Sequence, residues 1–311
     1  MKALVWHGTR SLALEDVPDP VARDDEVVLE VALAGICGSD LHGYRGHPGP
    51  RVPPLVLGHE VVGTVEGERH VLYPLVGCGT CARCAAGEDN LCADWRLVGM
   101  HRPGVFAERV AVPRRCLVPL PTGLDDRRAV LAEPLACCVG ALAAGGLSAG
   151  DRLVVLGCGP IGLLTVHVGA RLGADVNAVD PLEKRRRIAV TLGATPFEAE
   201  PQAADVVVDA AGFEPTWRAA IEAVRSGGTI VVVGLGAAEG VVPMATVVRR
   251  ALVLRGQFAY TRADFARALE ILAEGDLDLG WLSDAPLAEG GAAFARLADE
   301  PERATKVLLT P

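Results

Sequence analysis

The segment from residue 153 to residue 180 constrains the fold of this chain more than any other. A short apolar run, Leu153–Leu156, predicts a buried strand, and the glycine-rich turn GCGPIG follows at residues 157–162. A helical pattern then extends to about Leu172, and a second strand is predicted at Asp175–Val179. A strand, a glycine-rich turn, a helix and a second strand in this order are typical of a Rossmann nucleotide site.

The residues of the turn suit this interpretation one by one. Gly157 permits the tight turn, Gly159 lets a pyrophosphate approach the backbone, and Gly162 packs the helix against the strand. Pro160 and Ile161 begin the helix, whose N-terminus presents free N–H groups and a positive dipole end to phosphates.

Asp180 stands at the end of the second predicted strand, 23 residues after the first glycine of the turn. A carboxylate there binds the hydroxyl groups of an adenosine ribose and repels the 2′-phosphate of NADP. The basic run Lys184–Arg187 is an alternative anchor for that phosphate, although a charge run at a helix start is usually a solvated face. The sequence therefore favours NAD over NADP.

Length and composition limit the class of protein. The 311 residues suffice for two domains, and strands alternate with helical segments as far as Gly256. This alternation predicts a parallel, doubly wound sheet of about six strands. After the first two, the strands are predicted at Ala204–Asp209, Thr229–Gly234 and Leu252–Gly256. The net charge of −9 argues against nucleic-acid and acidic-membrane partners.

The N-terminus, MKALVWHGTR, lacks the apolar core of a signal peptide, and no run reaches the roughly 20 apolar residues that span a bilayer. We therefore expect a cytoplasmic protein. Nine cysteines are then poor candidates for structural disulfides, which favours metal-binding or catalytic roles.

Outside the α/β run, the pattern is mostly that of short strands. These are predicted at Ala3–Val5, Val27–Ala32, Leu55–Leu57, Val61–Val65, Val105–Val112 and Cys116–Val118. Helical patterns occur at Asp126–Ala144, where Glu133 and Pro134 interrupt it, and at Thr216–Val224 and Arg262–Glu274. A closing strand at Thr305–Leu309 suggests that the chain returns to pair with the first domain.

Four cysteines lie close together in the order C-x2-C-x2-C-x7-C: Cys78, Cys81, Cys84 and Cys92. Four thiolates at such spacings wrap one Zn²⁺ tetrahedrally and leave no open position, which defines a structural site. Gly77, Gly79, Gly87 and Asn90 allow the tight reversals that this wrapping needs. An iron–sulfur cluster is the chemical alternative, and the sequence favours zinc.

A second group of side chains combines metal ligands with proton-transfer groups: Cys37, Ser39, Asp40, His42, His59, Glu60 and Glu133. From spacing alone, a Cys/His/Glu metal site and a set of ordinary core residues are equally good interpretations. His47 and Arg51 lie in the loop between these residues, where they either meet a polar or phosphorylated substrate or are simply exposed.

Five motifs occur here in the order GICGSDLH, LVLGHE, GCGTCARCAAGEDNLC, AEPLACC and GCGPIG. In this order the chain resembles the zinc-dependent medium-chain alcohol dehydrogenases over nearly its whole length. It is most similar to the branch of polyol, butanediol and threonine dehydrogenases, which has Glu after the liganding His and a later Glu-Pro-Leu.

The resemblance implies roles for individual residues. Cys37 and His59 would bind a catalytic zinc, and Glu60 or Glu133 would complete the protein ligands. Ser39 and His42 match the proton relay of the family. The cysteine quartet matches its structural zinc site, which makes two Zn²⁺ per chain. The residues that match its NAD site are Gly157, Gly159, Pro160, Ile161, Gly162, Asp180, Arg185 and Gly234.

The resemblance also implies an architecture and a reaction. The fold would be α/β, with a mostly β GroES-like catalytic domain at residues 1–139 and 262–311, a zinc lobe at 76–95, and a Rossmann domain at 140–261. The reaction would transfer a hydride between NAD and a secondary alcohol in a polyol, sugar or amino alcohol. A homodimer or homotetramer is expected, with pairing near the Leu252–Gly256 strand edge.

Two other functions compete with this one: a zinc-free NADPH reductase of the superfamily, and a nucleotide-binding protein of the same fold without turnover. The segments from Glu60 to Cys78 and from Thr195 to Ala204 are shorter than is usual in the family. The remaining cysteines match no ligand position and are interpreted as small buried residues: Cys116, Cys137, Cys138 and Cys158.

Overall fold

The computed structural model describes residues 1–196 and 203–311. The chain divides into two compact units, of which the first comprises Met1–Glu133 and Phe265–Pro311 and the second Pro134–Asp264. Most of the short predicted segment from Thr195 to Ala204 lies outside the described residues.

The strands are β1 (Lys2–Gly8), β2 (Ser11–Asp16), β3 (Glu26–Gly35), β4 (Leu55–Val56), β5 (Glu60–Val65), β6 (Glu68–Leu72), β7 (Leu75–Val76), β8 (Arg96–Leu97), β9 (Arg109–Pro113), β10 (Leu117–Pro119), β11 (Arg152–Leu156), β12 (Asp175–Val179), β13 (Ala204–Asp209), β14 (Val224–Val232), β15 (Val253–Gly256), β16 (Leu282–Pro286) and β17 (Lys306–Thr310).

The α-helices are α1 (Gly38–Tyr44), α2 (Ala82–Ala85), α3 (Asp126–Ala129), α4 (Ala132–Gly145), α5 (Pro160–Arg171), α6 (Glu183–Thr191), α7 (Glu214–Ala223), α8 (Met244–Arg249), α9 (Arg262–Ala273) and α10 (Gly290–Asp299). None of the helices in the described part of the chain is long and apolar enough to cross a bilayer.

The first unit is built on a seven-stranded sheet in the order β10-β6-β5-β3-β17-β16, with β9 also paired to β3. Val27, Leu29 and Val31 alternate with more exposed residues along β3, so one face of this strand is buried. Their side chains join an apolar cluster with Phe106 and Phe294, whose rings meet edge to face at 5.8 Å. Full burial of each such side chain contributes about 1.5–3 kcal/mol.

The last strand, β17, pairs antiparallel with β3 and sets Leu309 opposite Ala34. The prediction that the chain returns to the first domain is therefore confirmed. The predicted strand Val105–Val112 is shorter, because the N–H groups of Gly104, Val105 and Phe106 donate to carbonyl groups of residues 56–58 instead of a regular ladder.

The second unit contains a parallel sheet in the order β12-β11-β13-β14-β15. Leu153, Val154, Val155 and Leu156 of β11 are all buried, as expected for a parallel strand covered on both faces. The described residues thus contain the five strands located from the sequence, in place of about six. The expected α/β fold class, a Rossmann sheet with a mostly β partner unit, is confirmed.

The helical pattern from Asp126 to Ala144 forms two helices, α3 and α4, with a turn at Val130 and Leu131. Pro134 explains the break, since its ring clashes with the carbonyl four residues earlier and its nitrogen has no hydrogen to donate. Pro134 is accommodated in the first turn of α4, where a missing N–H costs little. This break places Glu133 at the start of a helix.

Candidate active site and metal centres

Cys37, His59 and Glu60 come together through the pairing of β3 with β5. The register sets Gly35 opposite Glu60, and Cys37 follows two residues later as the residue that precedes α1. One possible ligand atom from each of the three residues lies within 4.8 Å of those of the other two. His59 and Glu60 are buried, with 2% and 0% of their surface exposed.

Gly35 is required for this arrangement. A Cβ at this position would lie 2.1 Å from Oε2 of Glu60, closer than any real contact. The isolated glycine at the end of a strand therefore marks the close approach of a buried carboxylate.

Asp40 lies behind His59 on the first turn of α1 and is fully buried. Its Oδ1 is 3.7 Å from Nδ1 of His59, and its Oδ2 accepts a hydrogen bond from the Cys37 N–H at 3.2 Å. Burial lowers the pKa of His59, but the Asp40 carboxylate and Cys37 outweigh burial and raise that pKa to about 10. The negative groups around the imidazole thus favour a positive charge at this place, whether a proton or a metal ion.

Lys306 was not predicted as part of the site, yet its Nζ pairs with Oε2 of Glu60. Both side chains are at most 1% exposed. Burial lowers the pKa of Lys306, and the negative charges of Glu60, Cys37 and Glu133 outweigh burial and raise it. Glu60 therefore faces a fixed cation with one oxygen, while its Oε1 has no hydrogen-bond partner among the described residues.

Glu133 is 8% exposed and contributes to the raised pKa values of His59 and Lys306, but it is not in the group whose ligand atoms lie within 4.8 Å. The structure groups Glu60, and not Glu133, with Cys37 and His59.

Ser39 and His42 lie three residues apart on α1 and so share one face of the helix. The Oγ of Ser39 is buried and has no hydrogen-bond partner in the described part of the chain. Burial and, after it, the positive charges of His47, Arg45 and Arg51 lower the pKa of His42. A neutral imidazole, which can accept a proton, is thereby favoured at His42.

The cysteine quartet also comes together, with the four Sγ atoms within 4.8 Å of one another. Backbone and hydroxyl hydrogen bonds from Thr80, followed by the N–H of Cys81, lower the pKa of Cys78 to about 6. Gly77 is needed beside them, because a Cβ there would lie 2.6 Å from Sγ of Cys84.

The two groups suit zinc in different ways. Four thiolates satisfy a tetrahedral ion completely, whereas a thiolate, an imidazole and a carboxylate leave a fourth position open. In and beside the group of Cys37, His59 and Glu60, polar atoms of Ser39, His59 and Glu60 are buried without a hydrogen-bond partner among the described residues. Such atoms are expected where a bound ion and a substrate oxygen would serve as their partners. No residue belongs to both groups.

The glycine-rich turn of the second unit has the geometry that a dinucleotide needs. Gly157 has a φ of +91°, and a Cβ on Gly162 would lie 1.7 Å from the carbonyl oxygen of Gly157. A Cβ on Gly159 would instead meet no atom within 4 Å, so open space faces the backbone at the start of α5. Pro160 and Ile161 form the first turn of that helix.

Asp180 is buried beside this turn. Its Oδ2 accepts a hydrogen bond from the Cys158 N–H and its Oδ1 one from the Leu182 N–H, both at 2.8 Å. Nη1 of Arg185 lies 3.9 Å from Oδ2. Gly234 follows β14, and a Cβ there would lie 2.4 Å from backbone atoms of Ala211 and Gly212. These residues stand at the carboxyl ends of parallel strands, where α/β sheets bind ligands.

Two family models match the chain. The family described as "Alcohol dehydrogenase GroES-like domain" matches residues 23–122, and the family described as "Zinc-binding dehydrogenase" matches residues 160–274. A 2-dehydro-3-deoxy-L-galactonate 5-dehydrogenase of Pseudoalteromonas atlantica is 34% identical over 97% of this chain and 96% of its own. The chain belongs to the zinc-type medium-chain alcohol dehydrogenase family.

Other matches agree with this assignment. A sorbitol dehydrogenase of Halalkalibacterium halodurans is 31% identical over 100% of this chain and 99% of its own. The alcohol dehydrogenase TADH of Thermus sp. ATN1 superposes with a TM-score of 0.92 at 32% identity, over 100% of both chains. A zinc-binding dehydrogenase of Sinorhizobium meliloti 1021, bound to NADP, superposes with a TM-score of 0.90 at 31% identity, over 100% of this chain and 99% of its own.

The expectation of a zinc-type enzyme that interconverts an alcohol and a ketone is therefore confirmed, together with its use of a nicotinamide cofactor. Cys116, Cys138 and Cys158 of this dehydrogenase are buried as predicted, whereas Cys137 is only half-buried. Burial and the nearby charge of Asp180 raise the pKa of Cys158 to about 12 and keep its thiol protonated.

Proposed function

We propose that this dehydrogenase oxidises a secondary alcohol of a polyol or sugar derivative with NAD and two Zn²⁺ per chain. The supporting observation is the buried group formed by Cys37, His59 and Glu60, with ligand atoms within 4.8 Å. A Zn²⁺ ion held there would polarise the alcohol oxygen as a Lewis acid, and NAD would accept the hydride.

Residues of the chain supply the proton path in this proposal. The Oγ of Ser39 would accept the hydroxyl proton of the substrate and release its own hydroxyl proton, which the neutral imidazole of His42, one turn further along α1, would accept and pass towards solvent. Asp40 holds the imidazole of His59 in orientation, as a carboxylate behind a liganding histidine commonly does. Glu60 is the third protein ligand, and Glu133 is the alternative.

The second unit binds the cofactor in this proposal. The N–H groups at the start of α5 and the space beside Gly159 receive the pyrophosphate, and the carboxylate of Asp180 receives the ribose hydroxyls. Because Asp180 would repel a 2′-phosphate, NAD is the preferred cofactor. Arg185 lies beside that carboxylate, whereas Arg187 pairs with Glu183.

We further propose a homodimer or homotetramer that acts in the cytoplasm. The edge strand β15 of the parallel sheet supports the first part, because its residues are exposed, including Val253 at 49% and Leu254 at 40%. An uncovered apolar edge strand is a ready surface for pairing with a second copy. Nine cysteines, eight of which the two zinc groups and the buried positions account for without disulfides, suit a reducing compartment.

The test combines metal analysis with a substrate screen. Protein purified without chelators should contain two Zn²⁺ per chain and form NADH with polyols or sugar acids, the substrate classes named for its relatives. Cys37→Ala should abolish turnover, keep the lobe zinc and still bind NAD, while Cys116→Ala, at a buried cysteine outside both groups, should stay active. Turnover with NADPH in zinc-free protein, or NAD binding without turnover, would contradict the proposal.

A further inference from the structure

Arg51 lies in the loop between α1 and β4, yet its side chain is only 7% exposed. Its Nε and Nη2 are buried without a hydrogen-bond partner, and none of its nitrogens has such a partner among the described residues. The nearest carboxylate oxygen, Oδ1 of Asp40, lies 3.7 Å from Nη2, which is beyond hydrogen-bonding distance. A guanidinium with five donors is thus buried beside one carboxylate, with no hydrogen-bond acceptor among the described residues.

Other arginines of the first unit differ in this respect. Arg102 and Arg128 also have a buried Nε without a partner. Both, however, donate from a terminal nitrogen to a carboxylate, Glu26 in one case and Asp125 in the other. Since a buried charge is costly unless it is paired and hydrogen-bonded, Arg51 requires an acceptor that the described chain does not provide.

The position of Arg51 indicates where that acceptor comes from. The same Oδ1 of Asp40 is 3.7 Å from Nη2 of Arg51 and 3.7 Å from Nδ1 of His59, so these nitrogens are at most twice that distance apart. Arg51 also contributes to the lowered pKa values of His42 and His101, after burial and closer charges. The guanidinium therefore lies beside the Asp40 carboxylate, close to the proposed zinc ligands and the proton path.

We propose that Arg51 binds the carboxylate of the substrate, and that this dehydrogenase therefore prefers polyhydroxy acids to neutral polyols. The planar fork of a guanidinium matches a carboxylate with two parallel hydrogen bonds. In a six-carbon acid, the carboxyl carbon and the fifth carbon are four C–C bonds apart, a span of about 5 Å. We infer that an acid of this length would reach from Arg51 towards an alcohol held beside His59. The inference rests on the proposed function, because it assigns a substrate to that site.

The test compares acids with the neutral polyols of the same stereochemistry. The zinc-loaded enzyme is assayed for NADH formation with L-idonate against L-iditol, L-galactonate against galactitol, and D-gluconate against sorbitol. We expect a higher kcat/KM for the acid of the best pair. Arg51→Gln should lower the ratio of acid to polyol kcat/KM on the order of 10²–10³-fold, as expected for a buried charge left unpaired.

Two further variants separate the guanidinium from positive charge in general. Arg51→Lys keeps the charge without the fork, so its ratio should fall between those of the wild type and Arg51→Gln. Arg45→Gln removes an exposed arginine close to the same loop, whose partner among the described residues is the carbonyl of Ala298. It should leave the ratio within about twofold of the wild type.

Several results would overturn the inference. These are a wild-type preference for the polyol, an equal loss on acid and polyol in Arg51→Gln, or a raised KM for NAD with an unchanged ratio. The second result would make Arg51 a support for Asp40, and the third would make it a ligand of the cofactor phosphates. If no substrate reduces NAD, the proposed function fails separately. In that case, calorimetric titration of the three acids into the enzyme with NADH tests the inference. Binding to the wild type that is lost in Arg51→Gln supports it, and absence of binding to the wild type overturns it.

Discussion

The buried pair of Lys306 and Glu60 makes a sharp prediction about stability. Lys306→Met keeps the volume of the side chain approximately but leaves the Glu60 carboxylate at 0% exposure without its cation. Removing one partner of a buried ion pair typically costs about 3–5 kcal/mol, because the remaining charge is uncompensated. We therefore expect Lys306→Met to lower the free energy of unfolding of the first unit by about this amount in the absence of zinc.

Urea denaturation followed by tryptophan fluorescence measures this change. Trp6, Trp95 and Trp281 belong to the first unit and Trp217 to the second, so the signal reports mainly on the first. With excess chelator present, the midpoint should fall by about 1–2 M urea. Lys306→Met combined with Glu60→Leu should recover most of the loss, because an apolar replacement of the whole pair is close to neutral.

The control is Lys2→Met, which removes an exposed partner of Asp16 and should cost less than about 1 kcal/mol. The raised pKa of Lys306 means that its contribution is present at every pH below its unfolded value of about 10.4 and is lost only as the pH rises through the folded value. At neutral pH, Lys306 of the wild type is thus protonated in both the folded and the unfolded state. A midpoint for Lys306→Met that equals that of Lys2→Met would refute the reasoning.

Four other predictions follow from the two metal groups, the proton path and the cofactor site. Gly35→Ala should lose the zinc of the Cys37 group and keep the lobe zinc, because the added Cβ would displace Glu60. Gly38→Ala is the control, since a Cβ there meets no atom within 4 Å. Equal zinc contents in the two variants would contradict the prediction. Cys84→Ser should lower zinc content from two per chain to one and weaken folding, since structural metal binding is folding free energy; unchanged metal content would be the contrary result. Asp180→Ser should raise the ratio of kcat/KM with NADP to kcat/KM with NAD. A wild type that already prefers NADP would contradict the role given to Asp180. His42→Ala should lose part of kcat, within about 10²–10⁴-fold and most at low pH, and an unchanged pH–rate profile would remove His42 from the proton path.

The glycine-rich turn could be predicted from the sequence because all its determinants are local. Gly157 needs its positive φ, and Gly162 must lack a Cβ beside a carbonyl only five residues away. The acid at Asp180 follows within one βαβ unit. Short-range sterics of this kind leave a pattern in a single sequence, and each of the five described strands of the sheet built on it was located from the sequence.

The C-terminal elements of the first unit show the opposite case. Strand β16 ends on Pro286, and α10 begins with Gly290 and Gly291, so local propensity argues against both elements. The sheet order explains β16, since it is an edge strand, where a proline costs no ladder hydrogen bond on the open side. Packing of Phe294 against Phe106 stabilises α10. Tertiary contacts outweighed local preference in both.

Lys306 is the residue of the candidate site that the sequence did not reveal, and it was missed for the same physical reason. Lys306 meets Glu60 across 246 positions of sequence, through the pairing of β17 with β3, and a lysine in a strand is ordinarily a solvent-facing residue. The indirect signal was glycine. Gly35 clears the space that the Glu60 carboxylate fills, and a Cβ on Gly43 would lie 3.0 Å from Cδ of Arg51. Small residues beside long charged ones therefore mark where this chain buries charge.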